Sequence, residues 1–130
     1  MTPSKEVVVA FMDRINQRDP DQLAEMMTDD HVFVDSLGKT VKVRQAMREG
    51  WRGYYAFCPD YWVSREQVLA DFAQVAVFGA AGGTIAGHSW RIQAAWLAVV
   101  ENNLVKEWRV YADNKPVYDI LAQAKGTTHG

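Results

Sequence analysis

The stretch Ser89-Trp90-Arg91-Ile92-Gln93-Ala94-Ala95-Trp96-Leu97-Ala98-Val99-Val100 alternates by parity, with Trp90, Ile92, Ala94 and Trp96 on one side and Arg91, Gln93, Ala95 and Leu97 on the other. A period of two marks an extended strand that lays one face on a core. The second side turns apolar at Leu97 and Val99, too greasy for a face left wholly in water, so a covering partner subunit is expected there. Runs at 61–69, 72–80 and 104–113 share the extended character, and Gly82-Gly83 and Glu101-Asn102-Asn103 read as the turns that break them. Strands joined by short turns are usually antiparallel neighbours.

Upstream the period changes. Thr2-Pro3 reads as an N-cap with proline at the first helical position, followed by Val7, Val8, Phe11, Met12 and Ile15 at helical spacing. Asp19-Pro20-Asp21-Gln22 repeats the start signal for a short second helix that ends near Thr28. A brief strand follows over 31–35, closed by the turn Ser36-Leu37-Gly38-Lys39, and a short strand near Thr40 pairs back. Val43, Met47, Trp51 and Tyr54 or Tyr55 mark a third helix, stopped before Pro59 because proline drives its predecessor out of the helical region. A final short helix begins near Pro116 with Val117, Ile120 and Leu121 as its apolar stripe, and residues 126–130 are expected to be a disordered polar tail. Helices first and a long strand meander afterwards is an α+β order, in which the helices cover one sheet face.

The bulk numbers restrict the function classes. A chain of 130 residues fits one domain, here 1–125, and hides roughly two-thirds of its unfolded surface. The formal net charge of −2, with basic residues scattered among acids, argues against nucleic acid as a partner. Cys58 is the single cysteine, so no internal disulfide forms, and no spacing of His, Cys and carboxylates resembles a metal site. No segment has the length or apolarity of a membrane span and no leader pattern opens the chain, so the expectation is a cytoplasmic protein without a membrane partner. Gly79-Ala80-Ala81-Gly82-Gly83 lacks the Lys-Ser/Thr of a phosphate loop and opens no helix, leaving a cofactor-free reading.

Thr28-Asp29-Asp30-His31-Val32-Phe33-Val34-Asp35-Ser36-Leu37-Gly38 and Val105-Lys106-Glu107-Trp108-Arg109-Val110-Tyr111-Ala112-Asp113, in this order and separation, resemble the opening and closing strands of the nuclear-transport-factor-2-like superfamily. The resemblance covers about residues 5–122 and is nearest in flavour to its SnoaL-like branch, which includes polyketide cyclase-like and ketosteroid isomerase-like proteins. It implies a cystatin-like cone: three N-terminal helices on a curved, mostly antiparallel sheet, with a short C-terminal helix. It also implies a homodimer through the outer sheet face.

The resemblance puts Asp35 where the isomerase branch has its general base, and Asp113 where epoxide-hydrolase-like and cyclase-like relatives carry a functional aspartate. Each also has a plain structural reading, Asp35 as an Asx-type turn residue and Asp113 as a cap for the last helix. His31 shares the parity of Asp35, and a His beside an Asp suits proton transfer near neutral pH. Trp51, Tyr55, Trp96, Trp108 and Tyr111 are the candidate walls for a hydrophobic small-molecule ligand. Trp108 and Tyr111 have opposite parity, so both face inward only across a bulge. The places of the steroid isomerase tyrosine and second acid are held by Phe11 and Ala95, and 72–80 lacks the Arg and Asp of the epoxide hydrolase branch. Both departures argue against those specific activities. The reading is a small-molecule enzyme using carboxylate acid/base chemistry as an isomerase, cyclase, dehydratase or hydrolase. The alternative is a ligand-binding or dimeric interaction module on the same fold.

Overall fold

A computed structural model describes the backbone of residues 3–129 and the side chains of residues 3–123. The chain opens with α1 (Pro3–Gln17), whose stripe Val8, Phe11, Met12 and Ile15 is fully buried. Asp19 caps α2 (Pro20–Ala24) by accepting from the N–H groups of Asp21 and Gln22 at 3.1 and 3.2 Å. The second helix therefore stops earlier than its composition indicated, and β1 (Met27–Val34) starts earlier, already pairing Met27 with Val105. After β2 (Thr40–Lys42), α3 (Arg44–Phe57) ends where the N–H of Cys58 reaches the carbonyl of Tyr54, immediately before Pro59.

The strands β3 (Trp62–Asp71), β4 (Gln74–Ile85), β5 (His88–Glu101) and β6 (Leu104–Ala112) are antiparallel neighbours. With β1 added parallel to β6, the six-stranded order is β2-β1-β6-β5-β4-β3. Register shifts between Arg65 and Gln67 and between Val99 and Val100 bend the sheet, as bulges do. The helices cover its concave face and leave the convex face bare. Trp90, Ile92, Ala94, Trp96 and Ala98 of β5 point inward and are buried, while Arg91 and Gln93 are exposed.

Two turn assignments are corrected. Gly82-Gly83 is no turn but mid-strand in β4, because a Cβ on Gly82 would lie 2.5 Å from the Trp62 ring and one on Gly83 2.5 Å from Cys58 Sγ. Glycine serves close approach there, and the β4–β5 turn falls at Ala86-Gly87, both at positive φ. Phe72, expected in a strand, occupies the β3–β4 turn at φ 53° and is 92% exposed. The last helix is also longer than expected: α4 spans Lys115–His129, carried past its apolar stripe by the helix-favouring run Ala122-Gln123-Ala124-Lys125. The expected tail thus continues the helix to His129, while Gly130 and the proposed Thr2 cap lie outside the described residues. Among the described residues no helix is long and apolar enough to cross a membrane.

Candidate functional site

Between the concave sheet face, α3 and the start of α4 lies a cavity of about 310 Å³. Its sheet side is built by Ile92, Trp96, Trp108 and Val110, which the strand alternation aims inward. The helical repeat of α3 contributes Met47, Trp51 and Tyr54 at intervals of three and four residues. Tyr61 and Trp90 extend this aromatic wall, with ring centroids 6.1 Å apart. Tyr54 stands perpendicular to both Trp51 and Tyr61, at 6.2 and 4.8 Å. Trp96 and Trp108 stack at 6.1 Å and 19°, and Phe11 supports Trp108 from behind at 5.0 Å. Burial pushes the phenols of Tyr54 and Tyr61 above the ordinary range, so both rings stay neutral.

Polar groups gather where the β1–β2 loop meets the start of α4: Asp35, Ser36, Asn114 and Tyr118. Asp35 is half-buried, and its Oδ1 accepts from the N–H groups of Leu37 and Lys39, each at 2.9 Å. The Asx-turn reading is therefore correct, and the residue also lines the cavity. No donor among the described residues reaches Oδ2. Asn114 donates through Nδ2 to Ser36 Oγ, tying the loop to the first turn of α4 across this end of the cavity.

The other named candidates are distributed differently. Asp113 is exposed, lies outside the cavity wall and accepts the N–H of Lys115 at 3.0 Å, so it serves the start of α4 and does not face Asp35. His31 is fully buried behind Phe11, with Nδ1 at 2.7 Å from the carbonyl of Val105, and it lines no part of the cavity. Because that carbonyl only accepts, Nδ1 carries the proton, and Nε2 is a buried lone pair without a donor. Shared parity put His31 and Asp35 on one face, but four residues of strand separate them by about 13 Å, too far for a proton relay. Trp51, Trp96 and Trp108 line the cavity. Tyr55 does not: one position on from Tyr54, it turns into the core and donates to the carbonyl of Ile15 at 2.8 Å. Tyr111 is 55% exposed on the convex face, since the β5–β6 register runs without a bulge from Ala98↔Trp108 to Ala95↔Tyr111.

Phe33, Tyr54, Tyr61, Trp90 and Asn114 are wall residues that the sequence reading did not select. Trp90 and Phe33 were accessible by parity, from Trp96 and Asp35 respectively. Tyr61 and Asn114 stand at strand ends, where direction depends on how the neighbouring elements dock.

His31 gives a first prediction. Desolvation holds its imidazole below the usual histidine range, against the opposing pull of the Val105 carbonyl, Asp30 and Glu107. As pH falls through about 6.5 the unfolded chain takes up a proton that the folded protein refuses, so stability declines toward acid by at most about 1.4 kcal/mol per pH unit. Urea unfolding at pH 7.5 and 5.0 should show this slope in the native chain and a reduced one in His31→Phe. Equal slopes would mean that His31 is protonated in place.

A family model for a SnoaL-like domain matches residues 8–115. A search of curated proteins finds no match. Among solved structures, a SnoaL-like polyketide cyclase, so described, from Shewanella putrefaciens CN-32 superposes with a TM-score of 0.82 at 17% identity, covering 95% of this chain and 88% of its own. A protein with a ketosteroid isomerase-like fold from Catenulispora acidiphila DSM 44928, in complex with trimethylamine, gives a TM-score of 0.80 at 19% identity over 86% and 88% of the two chains. SalBIII, an epoxide hydrolase/cyclase-like enzyme with a role in pyran ring formation in the polyether salinomycin, gives 0.77 at 23% identity over 87% and 92%. At these identities the superpositions establish the nuclear-transport-factor-2-like fold, and the family model goes one level further: the chain belongs to the SnoaL-like domain family.

Proposed function

We propose that the protein is a small-molecule enzyme of SnoaL-like type in which Asp35 moves a proton on a hydrophobic substrate held in the aromatic cavity. The observation that carries this reading is the division of labour in one carboxylate. Oδ1 is fixed by two backbone N–H groups, while Oδ2 meets no donor among the described residues and belongs to a residue that lines an apolar cavity. A carboxylate so held presents its free oxygen in one orientation, as a general base or acid requires. Isomerisation, cyclisation, dehydration and hydrolysis share that step. The likeness to an epoxide hydrolase/cyclase-like enzyme supports proton-transfer chemistry in such a fold, and the trimethylamine complex of another neighbour supports small-molecule occupancy.

The test is a substrate panel of aryl-substituted epoxides, hydroxy-epoxides and β,γ-unsaturated ketones offered to native protein and to Asp35→Asn. Turnover by native protein that the variant loses supports the assignment. Equal turnover by both removes Asp35 from the mechanism and leaves the cavity as a binding site.

The convex face favours a homodimer as the working form. Cross-strand register places Leu69, Ala76, Leu97 and Arg109 in one rung, and Phe78, Ala95 and Tyr111 in the next. Leu69, Phe78 and Tyr111 are 52%, 45% and 55% exposed, which gives a continuous apolar band across β3 to β6. Sedimentation equilibrium is expected to give twice the 14.7 kDa chain mass for the native protein and a single chain mass for Phe78→Lys. A monomeric native protein would contradict the dimer.

A further inference from the structure

We propose that the cavity selects an organic cation, an alkylammonium group on a hydrophobic body, with Asp35 as its counter-charge. This rests on the cavity being the ligand site and names the class of molecule that enters it. Among the described residues of the wall Asp35 is the one carboxylate, and no Lys, Arg or His stands there with it. Several carboxylates outside the cavity are matched by cations, among them Asp13 with Arg65, Asp21 with Arg52, Asp29 with Arg44 and Glu107 with Arg109, while others such as Asp60 and Asp113 stand in water. Among the described residues Asp35 has no cation partner; its side-chain bonds are to the N–H groups of Leu37 and Lys39. An unpaired negative charge beside an enclosed apolar space sets the sign of the field inside it, because low-dielectric walls focus rather than screen that field.

Three ligand classes fare differently in that field. An anion meets like charge, has no cationic partner in the wall and loses its hydration. A neutral apolar molecule gains burial and nothing from Asp35. A cation gains Asp35 together with the negative faces of the surrounding rings, which attract alkylammonium groups. Tyr54, Trp51 and Tyr61 all line the cavity, with Tyr54 in edge contact with the other two at 89° and 90°. Trp96 and Trp108 supply two further indoles along the sheet side. A positive group in this cavity is surrounded by aromatic side chains, with Ile92 and Val110 beside its hydrocarbon body.

The experiment uses probes matched in shape and differing in charge. Phenyltrimethylammonium, its uncharged carbon isostere tert-butylbenzene, and benzoate are titrated by calorimetry into native protein and into Asp35→Asn. In that variant the amide oxygen still accepts the two turn N–H groups. The expected result is a preference for the ammonium over the isostere of about tenfold or more, with no measurable binding of benzoate. Asp35→Asn should weaken the ammonium about tenfold and leave tert-butylbenzene within about twofold. Equal or tighter binding of tert-butylbenzene, or an ammonium preference that survives in Asp35→Asn, overturns the proposal while leaving the cavity as a ligand site. Failure of all three probes to bind overturns both.

Discussion

Asp35→Asn is expected to lower turnover of the native substrate by about 10²–10⁴-fold, the usual contribution of one positioned acid or base. Each tenfold corresponds to about 1.4 kcal/mol of barrier, so the loss amounts to roughly 3–5 kcal/mol. The substitution isolates the chemistry because asparagine keeps a side-chain oxygen for Leu37 and Lys39, whose N–H groups hold Oδ1 in the native turn. What it removes is the ability of the second oxygen to take and return a proton. The loss should appear in kcat and in kcat/KM, with unfolding midpoint and affinity for an uncharged cavity ligand nearly unchanged. Asp113→Asn is the matched control: Asp113 is exposed and accepts the Lys115 N–H, a role asparagine performs equally well, so activity should be retained. If both variants lose activity together, or neither does, the distinction drawn between the two aspartates fails.

Trp108→Ala should be the most damaging single change to the fold, lowering unfolding free energy by about 3–5 kcal/mol. Trp108 is 1% exposed and touches three layers: Phe11 of α1 on one side, Trp96 of β5 on the other, and the cavity beyond. Truncation forfeits the transfer of a large ring from water and leaves a void that joins the existing cavity. The packed rings around it relax only partly into that space. Against a net stability of about 5–15 kcal/mol for a domain, such a loss brings the chain close to its unfolding threshold. Urea denaturation compared with the native chain measures it directly. A change below about 1 kcal/mol would show that Trp108 is mainly a ligand wall and not a keystone between helix and sheet.

Much of the architecture was legible because it depends on local periodicity. The alternation of 89–100 survives as β5 with its large side chains inward, and the helical stripe Val8, Phe11, Met12, Ile15 is the buried face of α1. Asp19 as cap and Pro59 as stop act within a few residues of chain, so they too could be read directly. Gly82-Gly83 misled because the residue that makes turns also permits backbones to crowd, and only the positions of Trp62 and Cys58 distinguish the two uses.

The candidate site was legible in its kind and only partly in its members. That aromatic residues would line a concavity follows from alternation and composition, whereas Asp35 was placed there by the family resemblance. Which of Tyr54 and Tyr55 faces the cavity turns on about 100° of helical rotation, set by how α3 docks on α2 and β1. His31 and Asp35 share a strand face, yet one is sealed beneath Phe11 and the other stands at a loop, a difference in depth that parity does not carry.

By itself the sequence determined the order of elements, the inward set of β5 and the presence of a carboxylate after β1, because these rest on spacing along the chain. Only the tertiary structure decided that Asp35 lines the cavity while holding its own turn, that Asp113 serves a helix and that Tyr111 looks outward. Those outcomes depend on which distant segments come together, and the gathering of residues 35, 96 and 108 around one cavity has no local signature.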